Sequence, residues 1–265
     1  MNESYILQRE TLLMFENSTL FYPCSGNDLL TPIQLFSPFV TDFWFVDRGY
    51  FSPGHQDTKH DGLDAPADKQ IPILTENKDY ELIEITIVGP ASWDRYKRDI
   101  EPCILTETYK HIPSKKQVKI HRRRGYGFSA FHKEIRSLGV FFYRGDSQGE
   151  GGSGNLWLAS DHISEVCDKL VDGGLIVTDG SQLGRWGKSS KLNTYHKFAQ
   201  YHGGTPKPKI PDEFVQSVKP FTDKEGRLFT CVGYAGQRYG PTLIWQMKKA
   251  SQQNTSADTP QSALT

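Results

Sequence analysis

The sequence predicts an α/β fold: a mostly parallel central sheet flanked by helices and ended by a C-terminal antiparallel hairpin. Three observations carry this expectation. Ser18 to Tyr22 reads as a short strand, stopped by Pro23 and succeeded by small and polar residues as far as Asp28. Leu29 to Phe39 then sets Leu30, Ile33, Leu35, Phe36 and Phe39 at helical spacing, with Pro32 tolerated in the first turn. Phe43 to Asp47 is next, a continuous apolar run closed by an acid, as expected of a strand buried on both faces of a parallel sheet. Strand, polar turn, helix and strand in that order make one βαβ unit.

The other elements are placed in chain order. Tyr5 to Asn17 sets Ile6, Leu7, Leu12, Leu13 and Phe15 at a loose helical spacing and predicts a leading helix. Ser52 to Gln70 is polar and rich in Asp, Gly, Pro and His, a long loop or insertion. Tyr80 to Val88 and Cys103 to Tyr109 are β-like and could form a hairpin, and Gln117 to His121 is a further strand. A helix is expected from Ser129 to Arg136, then a buried strand from Gly139 to Tyr143. Ser160 to Leu170 carries Ile163, Val166, Cys167 and Leu170 on one helical face, and Asp172-Gly173-Gly174 leads into the strand Leu175 to Thr178. A polar helical stretch is expected from Lys191 to Tyr201, and Arg227 to Tyr234 with Thr242 to Met247 close the chain as a hairpin. Residues 1–249 are therefore expected to form one domain with an insertion at about 52–116. Residues 250–265, short of apolar side chains, read as a disordered tail.

Composition narrows the class. The 265 residues hold 31 Lys plus Arg and 31 Asp plus Glu, so no global field draws the chain to nucleic acid or an anionic membrane. Four dispersed cysteines, Cys24, Cys103, Cys167 and Cys231, form no Cys-x-x-Cys pair and read as reduced thiols. No basic region precedes an apolar core at Met1 to Tyr5, and no run approaches the roughly 20 apolar residues of a membrane span. A soluble, cytoplasmic protein without a membrane partner is expected.

The residues that carry chemistry lie at strand ends. A strand turning sharply into a helix aims backbone N–H groups at whatever sits outside it. Here the turn is Pro23-Cys24-Ser25-Gly26-Asn27-Asp28, where Gly26 would let a ligand approach and Ser25, Asn27 or Asp28 could bond it or cap the helix. Asp47 stands 21 positions after Gly26, the spacing at which nucleotide folds place an acid that accepts bonds from ribose hydroxyls.

Through the turn from Tyr22 to Asp28, the strand ending at Asp47 and the segment Leu170-Val171-Asp172-Gly173-Gly174-Leu175-Ile176-Val177, the chain resembles class I, Rossmann-like methyltransferases that use S-adenosylmethionine. Its turn is closest to the Pro-Gly-Ser-Gly-x-Asp form of poorly characterised members, with Cys24 in place of the first glycine. The resemblance implies S-adenosylmethionine held by Tyr22, Pro23, Cys24, Ser25, Gly26, Asp28 and Asp47. It also implies that residues after the Gly139 to Tyr143 strand lie beside the transferred methyl, with Asp146 or Glu150 as base or orienting group and the acceptor unspecified. An ion pair between Arg144 and Asp146 is the structural alternative there. A non-enzymatic module of the same fold, binding a nucleotide or a protein, is the alternative for the whole chain.

Two further clusters stand out. Arg122-Arg123-Arg124, with Tyr126 and Phe128 nearby, could hold phosphate and stack a base, although zero net charge favours a solvated face over nucleic acid. His55, Asp57, His60 and Asp61 have a metal-like density, but no further His or Cys clearly completes a set, and a polar insertion without metal accounts for them better.

Overall fold

A computed structural model describes residues 5–7, 11, 12, 15, 18–52, 65–94, 99–145, 157, 158, 162–181, 194–201, 203 and 205–249. One eleven-stranded sheet organises them. Its strands are β1 (Tyr5–Leu7), β2 (Ser18–Pro23), β3 (Val40–Asp47), β4 (Tyr80–Val88), β5 (Cys103–His111), β6 (Gln117–Arg124), β7 (Leu138–Tyr143), β8 (Leu170–Thr178), β9 (Phe221–Thr222), β10 (Leu228–Gln237) and β11 (Pro241–Lys248). The spatial order is β1-β10-β11-β8-β7-β2-β3-β6-β5-β4, with β9 beside β10. The fully described helices are α1 (Leu30–Phe36), α2 (Gly127–Glu134), α3 (His162–Lys169) and α4 (Pro211–Ser217), each of seven or eight residues.

The expected Rossmann-like, mostly parallel, helix-flanked sheet is not what forms. Four strand pairings are parallel and six antiparallel, so the sheet is mixed. Its helices are about two turns long and cover little of it: α2 rests on β2 and β3, α3 on β7 and β8, and α4 on β10. The reason lies in the segment read as an insertion. Residues 80–88 and 103–111 pair antiparallel and extend the sheet beyond β6, instead of crossing over as a helix would. At the other edge the predicted hairpin forms as β10 and β11, but β11 docks antiparallel on β8. The leading helix is also corrected. Tyr5–Leu7 is a strand on β10, and of the other described residues before β2 only Thr11 and Leu12 are helical.

Between these edges lie the five parallel strands β8-β7-β2-β3-β6. β8, β7, β2 and β3 send alternate residues to two cores, as the two-residue period of a strand dictates, and β6 adds Val118 and Ile120 to one of them. Phe21, Phe141, Ile176 and Trp245 pack on one face, whereas Leu20, Tyr22, Phe43, Phe45, Phe142 and Val177 pack on the other. Each such apolar side chain, fully buried, contributes about 1.5–3 kcal/mol. From β2 the chain steps to β3 and β6 on one side, and later to β7 and β8 on the other. The order therefore reverses between β2 and β7, and open parallel sheets hold their ligands outside the carboxyl ends of the strands at such a reversal.

No described helix is long and apolar enough to cross a membrane. The four cysteines are free thiols.

Candidate functional site

The turn after β2 is built on two left-handed residues, Cys24 at φ +56° and Gly26 at φ +51°. A left-handed L-residue costs about 1–2 kcal/mol, so Cys24 holds a conformation that glycine adopts freely. The neighbouring strand fixes the turn from beneath. Ser25 N–H donates to Val46 O at 3.1 Å, and Gly26 N–H donates to Asp47 Oδ2 at 3.0 Å. Asp47 Oδ1 accepts from Gly49 N–H at 2.7 Å, so one carboxylate clamps the turns after β2 and β3 together. Tyr50 OH donates to Gly26 O at 2.7 Å and therefore accepts from Ser25 Oγ, also at 2.7 Å. Burial pushes the Tyr50 hydroxyl well above the ordinary phenol range and keeps it a donor.

Below the turn lies a charged lock. Arg144, at the end of β7, is almost fully buried and grips Asp28 with two bonds, Nε to Oδ2 at 2.7 Å and Nη2 to Oδ1 at 2.9 Å. Its third nitrogen donates to Ala235 O at 2.8 Å. Tyr22 OH lies within donating distance of Asp28 Oδ2 at 3.1 Å and of Arg144 O at 2.9 Å. Burial raises the Tyr22 pKa, and the Asp28 carboxylate raises it further. This network ties β2, β7 and β10 across the reversal.

The adjacent end of β7 has the same design. Gly145, at φ +74°, donates its N–H to Asp179 Oδ2 at 3.1 Å and Ser181 Oγ at 3.0 Å, both just beyond β8. Asp179 is itself held by Ser181, through the backbone N–H at 2.9 Å and through the hydroxyl. A Cβ placed on Gly26 or on Gly145 would meet no described residue within 4 Å, so among the described residues both left-handed glycines are open at the reversal.

The structure sorts the sequence-predicted residues accordingly. Gly26 and Asp47, expected to share a ligand, are in contact. Cys24 is half-buried, while Pro23 and Ser25 are buried in the turn. Tyr22 and Asp28 lie beneath it, where both engage Arg144 and so hold the turn. Asp146 and Glu150 fall outside the described residues, as do His55, Asp57, His60 and Asp61; no metal-holding cluster occurs among the described residues. Arg144 has Asp28, 116 positions away, as a bidentate partner, and the expected pair with Asp146 lies outside the described residues. Sequence reasoning missed Tyr50, Asp179 and Ser181 as parts of one site. A signal existed, since each lies just after a strand, but only the strand order shows that those ends converge.

The arginine run is not a surface patch. Arg122, Arg123 and Arg124 are all buried, because the three positions alternate between the two covered faces of β6. Arg122 pairs with Glu107 and donates to Gln70 Oε1 at 2.7 Å. Arg124 donates to the carbonyls of Glu101, Phe51 and Pro90. Arg123 is poorly served: its Nε lies 3.8 Å from Glu134, and Nε and Nη1 make no hydrogen bond. Its desolvation lowers its pKa. Replacing a poorly paired buried charge by an apolar residue of similar length is neutral or favourable. Arg123→Met is therefore expected to leave the denaturation midpoint unchanged or higher, as urea unfolding would show.

Two carboxyls set the acid response. Burial alone would raise the Asp28 pKa, but the hydrogen bonds and charge of Arg144 outweigh it and hold the group below the ordinary range. Burial acts likewise on Asp42 and is outweighed by His121 at 2.8 Å, with Trp44 Nε1 donating at 3.0 Å. In the unfolded chain both groups return to about 3.9 and bind protons more readily than in the folded chain. Stability from these groups is thus complete above about pH 5, and is lost as pH falls through their lower folded values. Unfolding free energy measured from pH 6 to pH 3 should drop, and the drop should shrink in Asp28→Asn and Asp42→Asn.

No family model, curated protein or solved structure matches the chain.

Proposed function

We propose that the carboxyl ends of β2, β3 and β7 bind S-adenosylmethionine and that the protein transfers its methyl group to an acceptor. The observation that carries this reading is the pair Gly26 and Gly145, left-handed and uncrowded by any described residue at the carboxyl ends of adjacent parallel strands where the order reverses. The resemblance of the turn at Tyr22 to Asp28 supplies the cofactor's identity.

The donor set fits an adenosyl group. Asp47 stands one strand over from Gly26, and a carboxylate has about four acceptor sites, so its bonds to Gly26 and Gly49 are compatible with accepting from a ribose. Cys24, Ser25 and Gly26 would line the cofactor with backbone. When bound, S-adenosylmethionine supplies an electrophilic methyl on a sulfonium. The chain's own task is to position and to exclude water, which asks for few reactive side chains. The Asp28–Arg144 pair performs it at a distance by fixing the spacing of β2 and β7. Asp146 and Glu150, close after Gly145 in sequence, are the proposed base or orienting groups for the acceptor.

A non-enzymatic nucleotide- or protein-binding module is the second reading. The engagement of Tyr22 and Asp28 with each other and with Arg144 favours it, because two side chains of the expected cofactor set are then taken up within the protein. Titration calorimetry with S-adenosylmethionine and S-adenosylhomocysteine separates these readings. Saturable heat with both at micromolar ligand supports the cofactor site, and no heat at millimolar ligand removes it. Binding without slow solvolytic or acceptor-dependent turnover to S-adenosylhomocysteine leaves the second reading.

A further inference from the structure

The turn between β10 and β11 emerges at the same end of the sheet as the candidate site. β11 pairs antiparallel with β8 and β10 antiparallel with β11, so β10 runs in the direction of β8, β7 and β2 and ends where they end. There a register shift between Tyr234 and Gln237, with Gly236 at φ +88°, breaks the regular ladder. The segment then reaches the reversal itself. Ala235 O accepts from Arg144 Nη1 at 2.8 Å, and Arg238 Nη2 lies 3.6 Å from Asp28 Oδ1.

Two guanidiniums therefore stand beside one carboxylate, and they are not equivalent. Arg144 is sealed in, and its bonds go to both oxygens of Asp28 and to Ala235 O. That bidentate pair already answers the charge of Asp28. Arg238 is 47% exposed and stands beyond hydrogen-bonding reach of Asp28, its one ion-pair partner among the described residues. Its backbone is nonetheless fixed, with the N–H donating to Gly240 O at 3.0 Å. The other acids of this edge face their own turns: Asp47 accepts from Gly26 and Gly49 N–H, and Asp179 from Gly145 and Ser181 N–H. Arg238 thus brings a held but weakly paired positive charge to the carboxyl ends of β2 and β7.

The direction of the cofactor supplies the partner. With its ribose at Asp47, on β3, a ligand passing Gly26 and Gly145 runs from β2 towards β7. Its amino-acid end then lies on the β7 side, beside Arg238. That end carries a carboxylate, which the planar fork of a guanidinium matches with two donors.

We propose that Arg238, brought to the site by the β10–β11 turn, binds the carboxylate of the cofactor's amino-acid end and makes the site selective for a carboxylate-bearing cofactor. This rests on the cofactor site proposed above.

Titration calorimetry tests it with S-adenosylmethionine and its decarboxylated form, which keeps the adenosyl group, the sulfonium and the amine. The two ligands are compared on the parent, Arg238→Met and Arg238→Lys. The parent should bind the carboxylate-bearing ligand about tenfold more tightly, the worth of one charge-assisted contact. Arg238→Met should lose that preference while binding the decarboxylated form no more weakly than the parent does. Arg238→Lys, which keeps the charge without the fork, should retain part of the preference. The melting midpoint of Arg238→Met should match the parent's, because the side chain is half-exposed and the Arg144–Asp28 pair remains. A parent that does not distinguish the two ligands, or a preference that survives in Arg238→Met, overturns the proposal and leaves the cofactor site standing. Failure of the parent to bind either ligand removes the cofactor site itself, and this role of Arg238 with it.

Discussion

Arg144→Met is expected to lower the unfolding free energy by about 3–5 kcal/mol, because it leaves the Asp28 carboxylate buried without its cation. The guanidinium makes two bonds to Asp28 and a third to Ala235 O, with both side chains nearly sealed from water. At this chain length such a loss corresponds to a fall of roughly 10 °C in melting midpoint. Calorimetric or fluorescence melting checks it. The double variant Asp28→Asn/Arg144→Met should recover a large part of the loss, since no charge is then stranded. A single-variant loss below about 1 kcal/mol would mean that the pair is not the lock that holds β2 to β7.

Gly26→Val is expected to weaken S-adenosylhomocysteine about a hundredfold while costing only about 1–2 kcal/mol of stability. The two effects have separate causes. A β-branched residue is strained at φ +51°, which is the stability cost. Its side chain would enter the open space above the end of β2, which blocks the ligand. Calorimetry on the folded variant reads the second, and melting reads the first. Equal binding by parent and variant would place any ligand elsewhere. Cys24→Gly is the complementary change: it relieves a left-handed non-glycine residue, so its stability should equal or exceed that of the parent.

The central strands were legible because they are buried on both faces. Phe43 to Val46, Val140 to Tyr143 and Leu175 to Val177 are continuous apolar runs, a pattern that half-exposed strands do not show. Tyr5–Leu7 was misread because three residues are too few to show a period, and the helical spacing of Leu12, Leu13 and Phe15 dominated. The edge strand β4 was visible as a strand. The antiparallel pairing of β5 on β6 was not, because it depends on how a connection returns, which residue pattern does not record. The arginine run misled through its chemistry. Three consecutive strand residues cannot share a face, so the two-residue period already argued against a single basic patch. Cys24 is the opposite case, where side-chain identity concealed a glycine-like backbone. Nothing local announced that Arg144 would meet Asp28, since a buried cation finds its acid through the fold.

Gly26 and Asp47 stand at the heart of the candidate site, now joined by Gly145 and by the strand reversal beneath them. The most direct measurement is a crystal structure of the protein with S-adenosylhomocysteine. Density for the ligand over Gly26 and Gly145, with its ribose hydroxyls within hydrogen-bonding distance of Asp47, is the expected result. A ligand seated elsewhere, or an empty crevice at millimolar ligand, would contradict the assignment.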